Sequence, residues 1–279
     1  MPTVGGVEDL LPPAVCPAVL LSGGVDSSAV LLAALRGGVK PHAFTVSLSG
    51  CGVDIPFAIY VASSLEVPLT VVSVGLEEAL AAIEEVVGAL KVFNPMEVVN
   101  CAVQYIGIKE AARWGYGKVC TGDGGDELYL GYSFYRNIPL DKLEAKRREV
   151  VSKWRFCSFQ IGKTLGVEVE APFTRLEAVE AALSISASEA LGKRPVRERL
   201  RPVLPLVAER EKTPMEAGSC FNRLYEEMRK RAGDEVRYLY EIYRRLGFTY
   251  PRSPSGCPRC GYAYFDRYCP MCGYYKPQD

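Results

Sequence analysis

The stretch LLSGGVDSSAVLLAA, residues 20–34, joins an apolar run to a helical pattern through two glycines and an aspartate. Residues 17–21 are typical of a buried strand, and residues 27–35 are typical of a helix. A loop of small residues at a helix N-terminus favours an anion, because the backbone N–H groups and the helix dipole both attract negative charge. Three hydroxyl groups add donors to this loop: Ser22, Ser27 and Ser28. The stretch predicts a phosphate or pyrophosphate site, although a plain glycine turn would share the glycines.

Strand and helix patterns alternate through the first half of the chain. Further strands are predicted at residues 42–48, 69–74 and 118–121, with helices at 54–65, 76–88 and 96–114. Asp54 is placed to cap the helix that begins there. This alternation predicts an α/β fold with a doubly wound, mainly parallel sheet over about residues 15–137. Ligands of such sheets bind at the carboxyl ends of the strands.

The pattern changes after about residue 141. Mixed charge with periodic apolar positions predicts helices over 141–250, forming a layer that closes one side of the sheet. Residues 251–256, PRSPSG, have the composition of a linker. We therefore expect one domain over residues 1–250 and a small cysteine-rich domain over 257–279.

The composition is that of a globular protein. Apolar residues make up 48% of the 279 positions. Neither a secretory signal nor an apolar run of about 18 residues is evident, so we expect a cytoplasmic protein without a membrane partner. Four Asn and three Gln beside abundant Glu, Arg and Val resemble the usage of a thermophile.

The net charge of zero conceals an asymmetry along the chain. Through Tyr135 there are 6 Lys and Arg against 14 Asp and Glu, which gives −8, and the remainder has 27 against 19, which gives +8. The acidic part needs local donors and a metal to hold a nucleotide. The basic part fits polyphosphate, nucleic acid or the acidic part itself, and the sequence leaves these open.

A second glycine-rich loop, TGDGGDELYLGY at residues 121–132, carries three acidic residues within five positions. The carboxylates of Asp123, Asp126 and Glu127 would repel one another unless a hard cation such as Mg²⁺ shared them. Asp26 in the first loop has the same need. The two loops predict a magnesium–pyrophosphate clamp with Asp26 and Asp126 as ligands. The alternative is that these acids only cap turns and helices.

The pair of loops resembles the synthetase domain of the asparagine synthetase family, a branch of the PP-loop ATP pyrophosphatases. SGGVDSS at 22–28 precedes TGDGGDELYLGY by about a hundred residues, and the segments 167–183, 192–205 and 209–218 resemble later parts of that family in order. The resemblance covers about residues 15–230. It implies an adenine nucleotide alpha hydrolase-like fold and cleavage of ATP to AMP and pyrophosphate. A carboxylate would be activated as an acyl-adenylate and then attacked by ammonia or an amine.

The resemblance also implies roles for individual residues. The pyrophosphate would be bound by Ser22, Gly23, Gly24, Ser27 and Ser28. The adenosine would contact Leu20, Val46 and Gly122, and Mg²⁺ would be bound by Asp26 and Asp126. The catalytic residues would be Lys212 and Asp123, with Lys212 stabilising the charge that develops as pyrophosphate leaves.

Three departures from the family pattern bear on the substrates. The glutaminase domain has no counterpart before the first strand, so nitrogen would come as ammonia, from an amine substrate or from a separate glutaminase. Asp123 stands where the family usually has Glu, and its carboxylate is one methylene shorter. In APFTR, Arg175 replaces the acid of a typical VPFLD, and Glu170 stands where a basic or small residue is common. These departures leave the carboxylate substrate open.

The tail CPRCGYAYFDRYCPMCG contains two CPxCG motifs eight residues apart. Cys257, Cys260, Cys269 and Cys272 thus have the spacing of a structural zinc ribbon, with two disulfides as the alternative. Nearby basic residues and tyrosines leave three roles open for the ribbon: RNA binding, bracing of the domain and a homodimer contact. Six cysteines lack ligand spacing and are expected in the core: Cys16, Cys51, Cys101, Cys120, Cys157 and Cys220.

Two other functions remain open beside the ligase. PP-loop enzymes that modify tRNA adenylate a base carbonyl at the same kind of ATP site, and a ribbon would help such an enzyme hold the RNA. A binding protein that kept the nucleotide site without catalysis is the third hypothesis. The combination of Asp26, Asp126 and Lys212 argues against it.

Overall fold

The computed structural model describes residue 7 and residues 9–276, and its centre is a parallel sheet of five strands in the order β3-β2-β1-β4-β5. The strands are β1 (Ala18–Leu20), β2 (His42–Leu48), β3 (Leu69–Val74), β4 (Lys118–Cys120) and β5 (Glu168–Glu170). Neighbouring strands pair in parallel, for example Val19 with Ala43 and with Cys120. The predicted α/β fold class with a parallel, doubly wound sheet is confirmed.

Fourteen α-helices are present in the described part of the chain. The first five are α1 (Val25–Arg36), α2 (Asp54–Ser64), α3 (Leu76–Leu90), α4 (Pro95–Arg113) and α5 (Gly125–Leu128). The next five are α6 (Leu140–Lys153), α7 (Cys157–Leu165), α8 (Leu176–Ser184), α9 (Ala187–Ala190) and α10 (Arg194–Leu200). The last four are α11 (Pro205–Glu209), α12 (Met215–Gly218), α13 (Arg223–Ala232) and α14 (Glu235–Arg245).

Two apolar clusters cover the two faces of the sheet. All seven residues of β2 are buried, and its side chains alternate between the clusters, as Ala43 and Phe44 do. Helices α3, α4, α7, α13 and α14 pack on one face. The other face is covered by α1 and α2 together with α8–α11. Because both faces of the sheet are covered, β2 is buried along its whole length, including its polar residues His42, Thr45 and Ser47.

Three predictions about secondary structure are wrong in detail. The region 141–250 was expected to be helical, but residues Glu168–Glu170 form β5 at the sheet edge, where charged side chains can remain in water. Asp54 does not cap α2, since its carboxylate is an ion-pair partner of Arg210 instead. Within the helical region predicted over 141–250, the pattern is also broken at Gly233, which has a φ of 79° and separates α13 from α14.

The six cysteines expected as core thiols form three disulfides instead. Their pairings are Cys16–Cys120, Cys51–Cys220 and Cys101–Cys157, at sequence separations of 104, 169 and 56 residues. Partners so far apart have no local spacing signal, and only the folded topology brings them together. Cys16, just before β1, is joined to the last residue of β4, Cys51 after β2 is joined to Cys220 after α12, and the third disulfide joins α4 to α7.

The cysteine-rich tail packs directly on the first apolar cluster. The N–H of Phe93 donates to the carbonyl of Met271 at 2.9 Å, and Asn94 Nδ2 donates to the Tyr268 hydroxyl at 2.5 Å. On the other side, the Tyr250 hydroxyl donates to the carbonyl of Cys260 at 2.8 Å. The tail therefore shares its core with the α/β body.

No single helix among residues 9–276 has the length and apolar composition of a membrane span. The bent pair of α3 and α4, which meet at 108°, passes that test only when the two helices are taken together.

Candidate functional site

The first glycine loop lies between β1 and α1, at the carboxyl end of the sheet. Gly23 has a φ of +68°, and a Cβ there would collide with the backbone of Phe57. Gly24 is the extended N-cap residue of α1. The Ser22 and Ser27 hydroxyls lie 3.1 Å apart, and Ser27 Oγ donates to the Gly24 carbonyl at 3.3 Å. Only glycine fits at position 23, and the turn leads directly into the twelve-residue helix α1.

The residues predicted to bind adenosine lie on the adjoining strands. Leu20 ends β1 and Val46 lies within β2. Both side chains pack against Gly107 of α4, where a Cβ would lie 2.8 Å from Leu20 Cδ2 and 3.3 Å from Val46 Cγ2. Gly122 brings the second loop against the first, since a Cβ there would lie 3.0 Å from both Asp26 Cβ and the Ser27 nitrogen. Both loops thus meet at one edge of the sheet. The hydroxyl of Ser28, also predicted to bind pyrophosphate, is buried without a hydrogen-bond partner.

Asp26 and Asp126 lie close together, and a lysine joins them. Lys193 Nζ pairs with Asp26 and lies 2.6 Å from Asp126 Oδ1. Lys212 Nζ lies 2.6 Å from Asp126 Oδ2. Burial raises the pKa of Asp26, whereas at Asp126 the charges of the two lysines outweigh burial and lower the pKa. The two carboxylates raise the pKa of Lys193 in spite of its burial.

Lys193 had no predicted role, although it lies in the segment 192–205 that resembles the family. Gly192 and Lys193 both have positive φ, at 71° and 63°, which directs the lysine inward at the start of α10. Its side chain is only 4% exposed. The signal in the sequence was a Gly-Lys pair directly before the Arg-Pro that begins a helix.

The arrangement fits a magnesium ion at the two aspartates. Both carboxylates contact the Lys193 ammonium and so lie within reach of one cation, and Asp26 Oδ1 is buried without a hydrogen-bond partner. Carboxylate oxygens supplemented by phosphate oxygens are the ligands that Mg²⁺ prefers. Asp26 Oδ1 is therefore an acceptor that a bound cation would satisfy.

Gly131 provides the space that the lysine–aspartate cluster occupies. A Cβ at this position would collide with Asp126 Oδ1 and Lys193 Cε. We expect Gly131→Ala to lower the free energy of unfolding by about 2 kcal/mol, the cost of overpacking, and to weaken ATP binding. Gly117→Ala is the matched control, because no atom lies within 4 Å of its Cβ position. Thermal unfolding and calorimetric ATP titration would measure both effects. Equal melting temperatures and equal affinities for ATP in the two variants would contradict this packing role of Gly131.

Arg210 connects the segment that carries Lys212 to the first loop. Its guanidinium donates to the Ser22 carbonyl at 2.8 Å, pairs with Asp54 and stacks over the Phe57 ring at 4.2 Å. Burial raises the pKa of Asp54, and the Arg210 charge opposes this shift. Arg210 thus holds the loop, α2 and the Lys212 segment in one arrangement.

Asp123 lies apart from the lysine–aspartate cluster in a nest of neutral donors. Its carboxylate accepts hydrogen bonds from Thr121 Oγ1 at 2.8 Å, Ser158 Oγ at 2.5 Å and Gln104 Nε2 at 3.1 Å. Burial raises its pKa, and these hydrogen bonds act in the opposite direction. A carboxylate with a raised pKa is suited to accept a proton.

Glu127, the third acid of the second loop, has a different environment. The Tyr132 hydroxyl donates to Glu127 Oε1 at 2.6 Å. Burial raises the pKa of Glu127 to about 7. The three acids of the loop therefore lie in three separate environments.

Arg175, which replaces an acid of the family pattern, does not face the two loops. It pairs with Glu170, and its Nη1 donates to the Pro13 carbonyl at 2.8 Å. Glu170 is also paired with Lys118 at 2.6 Å. The two unusual residues of this segment are therefore partners of each other.

The four tail cysteines converge as a metal site requires. Their Sγ atoms all lie within 4.8 Å of one another. Two of the separations are 3.7 Å, for Cys257–Cys272, and 3.5 Å, for Cys260–Cys269. Four thiolates around one tetrahedral ion with metal–sulfur distances of about 2.3 Å would be roughly 3.8 Å apart. The group fits a single ion, whereas a [4Fe–4S] cluster, in which each cysteine binds a different iron, needs a wider spacing.

A parallel sheet with a glycine–serine loop after β1 and an acidic loop after β4 defines the adenine nucleotide alpha hydrolase-like class of fold. Within this class, the family model for asparagine synthase matches residues 7–159, and the chain belongs to that family.

Known proteins of the family resemble part of the chain. It is 28% identical to asparagine synthetase [glutamine-hydrolyzing] 3 of Arabidopsis thaliana over 182 residues, covering 60% of this chain and 31% of that protein. The asparagine synthetase of Zea mays is 27% identical over 182 residues, with the same two coverages. The chain thus matches about a third of the length of these relatives. Among solved structures, the U34-tRNA thiolase NcsA of Methanococcus maripaludis, solved with its [4Fe-4S] cluster, has a TM-score of 0.32 at 15% identity, covering 95% of this chain and 83% of that one.

Proposed function

We propose that the protein is an ATP-dependent ligase that cleaves ATP to AMP and pyrophosphate. It adenylates a small carboxylate, and ammonia or an amine then attacks the acyl-adenylate. The observation that carries this proposal is the convergence of two loops at the carboxyl end of the sheet, with Asp26, Asp126, Lys193 and Lys212 in one cluster. Membership of the asparagine synthase family supports it.

In the first step, a carboxylate oxygen attacks the α-phosphorus of ATP and pyrophosphate leaves. The N-terminus of α1 and the hydroxyls of the first loop bind the leaving phosphates. Lys193 and Lys212 neutralise the charge that develops on pyrophosphate, which is where preorganised cations contribute most. Asp26 and Asp126 would hold Mg²⁺, which supplies further charge neutralisation at the phosphates when bound.

In the second step, the nitrogen attacks the acyl carbonyl and AMP leaves. Asp123 accepts the proton that the attacking nitrogen must lose. Its raised pKa and its place on the same loop as Asp126 support this role. The nitrogen donor is ammonia or an amine, and delivery from a separate glutaminase is compatible with the proposal.

The four tail cysteines are proposed to bind one structural Zn²⁺. Their mutual distances support a tetrahedral site, and all four are buried. The ribbon then serves to brace the body of the protein, because its backbone is hydrogen-bonded to Phe93 and its core continues that of α3 and α4.

A second candidate function, adenylation of a tRNA base, is supported by the segment before α7. Trp154 and Phe156 have ring centroids 5.5 Å apart, and the exposed Phe159 follows at 6.3 Å. Arg155 is exposed between them. Aromatic faces beside a cation are suited to stack unpaired bases. Ser158, two residues after Phe156, donates a hydrogen bond to Asp123. A base stacked on these rings would therefore lie near Asp123.

One assay separates the two candidates. AMP and pyrophosphate release from ATP and Mg²⁺ is measured with a panel of amino acids and ammonia, and separately with bulk tRNA. We expect release that depends on a small carboxylate and is lost in Lys212→Ala. Release with tRNA alone would overturn the ligase in favour of base modification, and no release with either would contradict both.

A further inference from the structure

The Cys101–Cys157 disulfide joins the two helices that hold Asp123. Cys101 lies on α4, three residues before Gln104, and Cys157 begins α7 directly before Ser158. Gln104 and Ser158 are two of the three hydrogen-bond donors to the Asp123 carboxylate. We infer that this disulfide positions Asp123, through Gln104 and Ser158, for the amine-attack step, an inference that rests on the function proposed above.

The contacts lead from the sulfur to the carboxylate in two short paths. Cys157 Sγ lies 3.1 Å from Gln104 Oε1, and Nε2 of the same amide donates to Asp123 Oδ1 at 3.1 Å. Contact of the amide oxygen with the sulfur leaves the NH₂ group facing the carboxylate. Ser158, the residue after Cys157, donates to Asp123 Oδ2 at 2.5 Å. Both donors therefore depend on the position of one cystine.

The third donor, Thr121, does not position Asp123 relative to the two helices. Thr121 precedes Asp123 by two residues on the same loop, so it moves with the carboxylate and does not fix it relative to α4 and α7. Asp123 has no lysine or arginine partner among the ion pairs of the described residues. Its orientation is set by neutral hydrogen bonds whose donors lie on separate helices.

The need for such a constraint follows from the side chain itself. Asp123 is one methylene shorter than the glutamate usual in the family, so it cannot adjust its reach by rotation of an additional bond. Helix α7 has only nine residues and follows an irregular segment, residues 154–156. A cross-link at its first residue fixes the end that faces the site. Small misplacement of a reacting group has a large effect on rate.

The test separates the two half-reactions. Pyrophosphate–ATP exchange reports adenylation, and AMP-coupled amide formation reports the complete reaction. For C101A/C157A we expect kcat for amide formation to fall about tenfold or more, with the KM for ATP and the exchange rate within about twofold of wild type, because the ATP-binding residues lie on other segments.

The matched control is C51A/C220A. This disulfide closes 169 residues rather than 56, so loop-closure entropy predicts that its loss lowers stability at least as much. Neither of its cysteines is adjacent to a donor of Asp123. We expect the control to lose thermal stability while keeping the wild-type ratio of amide formation to exchange. A fall in that ratio equal to that of C101A/C157A would overturn the inference.

A double-mutant cycle with Ser158→Ala distinguishes positioning from general loosening. If the disulfide acts through Ser158, its removal costs less in the Ser158→Ala background than in wild type. Full additivity would overturn the inference, as would wild-type amide formation in C101A/C157A. Should that variant fail to fold, Gln104→Leu with the disulfide intact is expected to show the same selective loss, and unchanged amide formation there would overturn the inference. Absence of exchange in the wild-type protein with every carboxylate would instead refute the proposed function.

Discussion

Lys193→Met should lower the free energy of unfolding by about 3–5 kcal/mol, the cost of leaving buried charges without their partner. Lys193 is the only group that contacts both Asp26 and Asp126 among the recorded ion pairs of residues 9–276. Without it, two carboxylates face each other in a buried site, and Lys212 reaches only Asp126. For a chain of this size the loss corresponds to a fall in melting temperature of about 10 °C.

The matched control is Lys212→Met. Its side chain is 39% exposed and contacts one carboxylate, so its loss should cost about 1 kcal/mol or less in stability while still slowing pyrophosphate release. Both variants would be followed by thermal unfolding with and without Mg²⁺. We expect Mg²⁺ to stabilise Lys193→Met more than wild type, because the cation supplies the missing positive charge. Equal stability of Lys193→Met and Lys212→Met would show that Lys193 does not neutralise the pair.

The sheet was largely predictable, because its strands are local patterns. Residues 42–48 and 69–74 were predicted with the bounds that the structure has, since each is a run of apolar and β-branched side chains. The strand β5 was missed because two of its three residues are glutamates at a sheet edge, so it lacks the apolar run that marks the equally short β1.

The site was predictable where a loop is contiguous in sequence and unpredictable where it is assembled from distant segments. The residues of the two glycine loops lie within short motifs, and the fold brings the loops together as the parallel topology requires. Lys193 resembles a surface lysine at a helix start, and only the folded chain directs it between the aspartates. The same holds for Gln104 and Ser158, whose neutral side chains carry no sign of an acidic partner elsewhere in the sequence.

The disulfides show most clearly which contacts the sequence could not predict. Six cysteines allow many pairings, and none of the three observed pairs is closer than 56 residues in sequence. The four tail cysteines were separable from them because two CPxCG motifs predict that these cysteines cluster, as they do. Clustering was therefore predictable from local spacing, and contacts that depend on tertiary structure were not.

Purified protein should contain one equivalent of zinc, and Cys269→Ser combined with Cys272→Ser should remove it and lower the melting temperature of the whole chain by about 10 °C or more. The physical reason is that metal binding supplies the folding free energy of so small a domain. Here the ribbon also covers part of the main core, through the Phe93 and Asn94 hydrogen bonds at the start of α4. Its loss therefore exposes apolar surface of the body.

The measurement is metal analysis by mass spectrometry on protein prepared without added zinc, followed by calorimetric unfolding. Arg259→Ala is the control, since it removes only a surface ion pair with Asp234, at 2.8 Å, and should change stability by about 0.5 kcal/mol or less. A metal-free variant that melts at the wild-type temperature would mean that the ribbon is an appendage rather than part of the core. Iron in place of zinc, or two disulfides among the four cysteines, would contradict the zinc assignment.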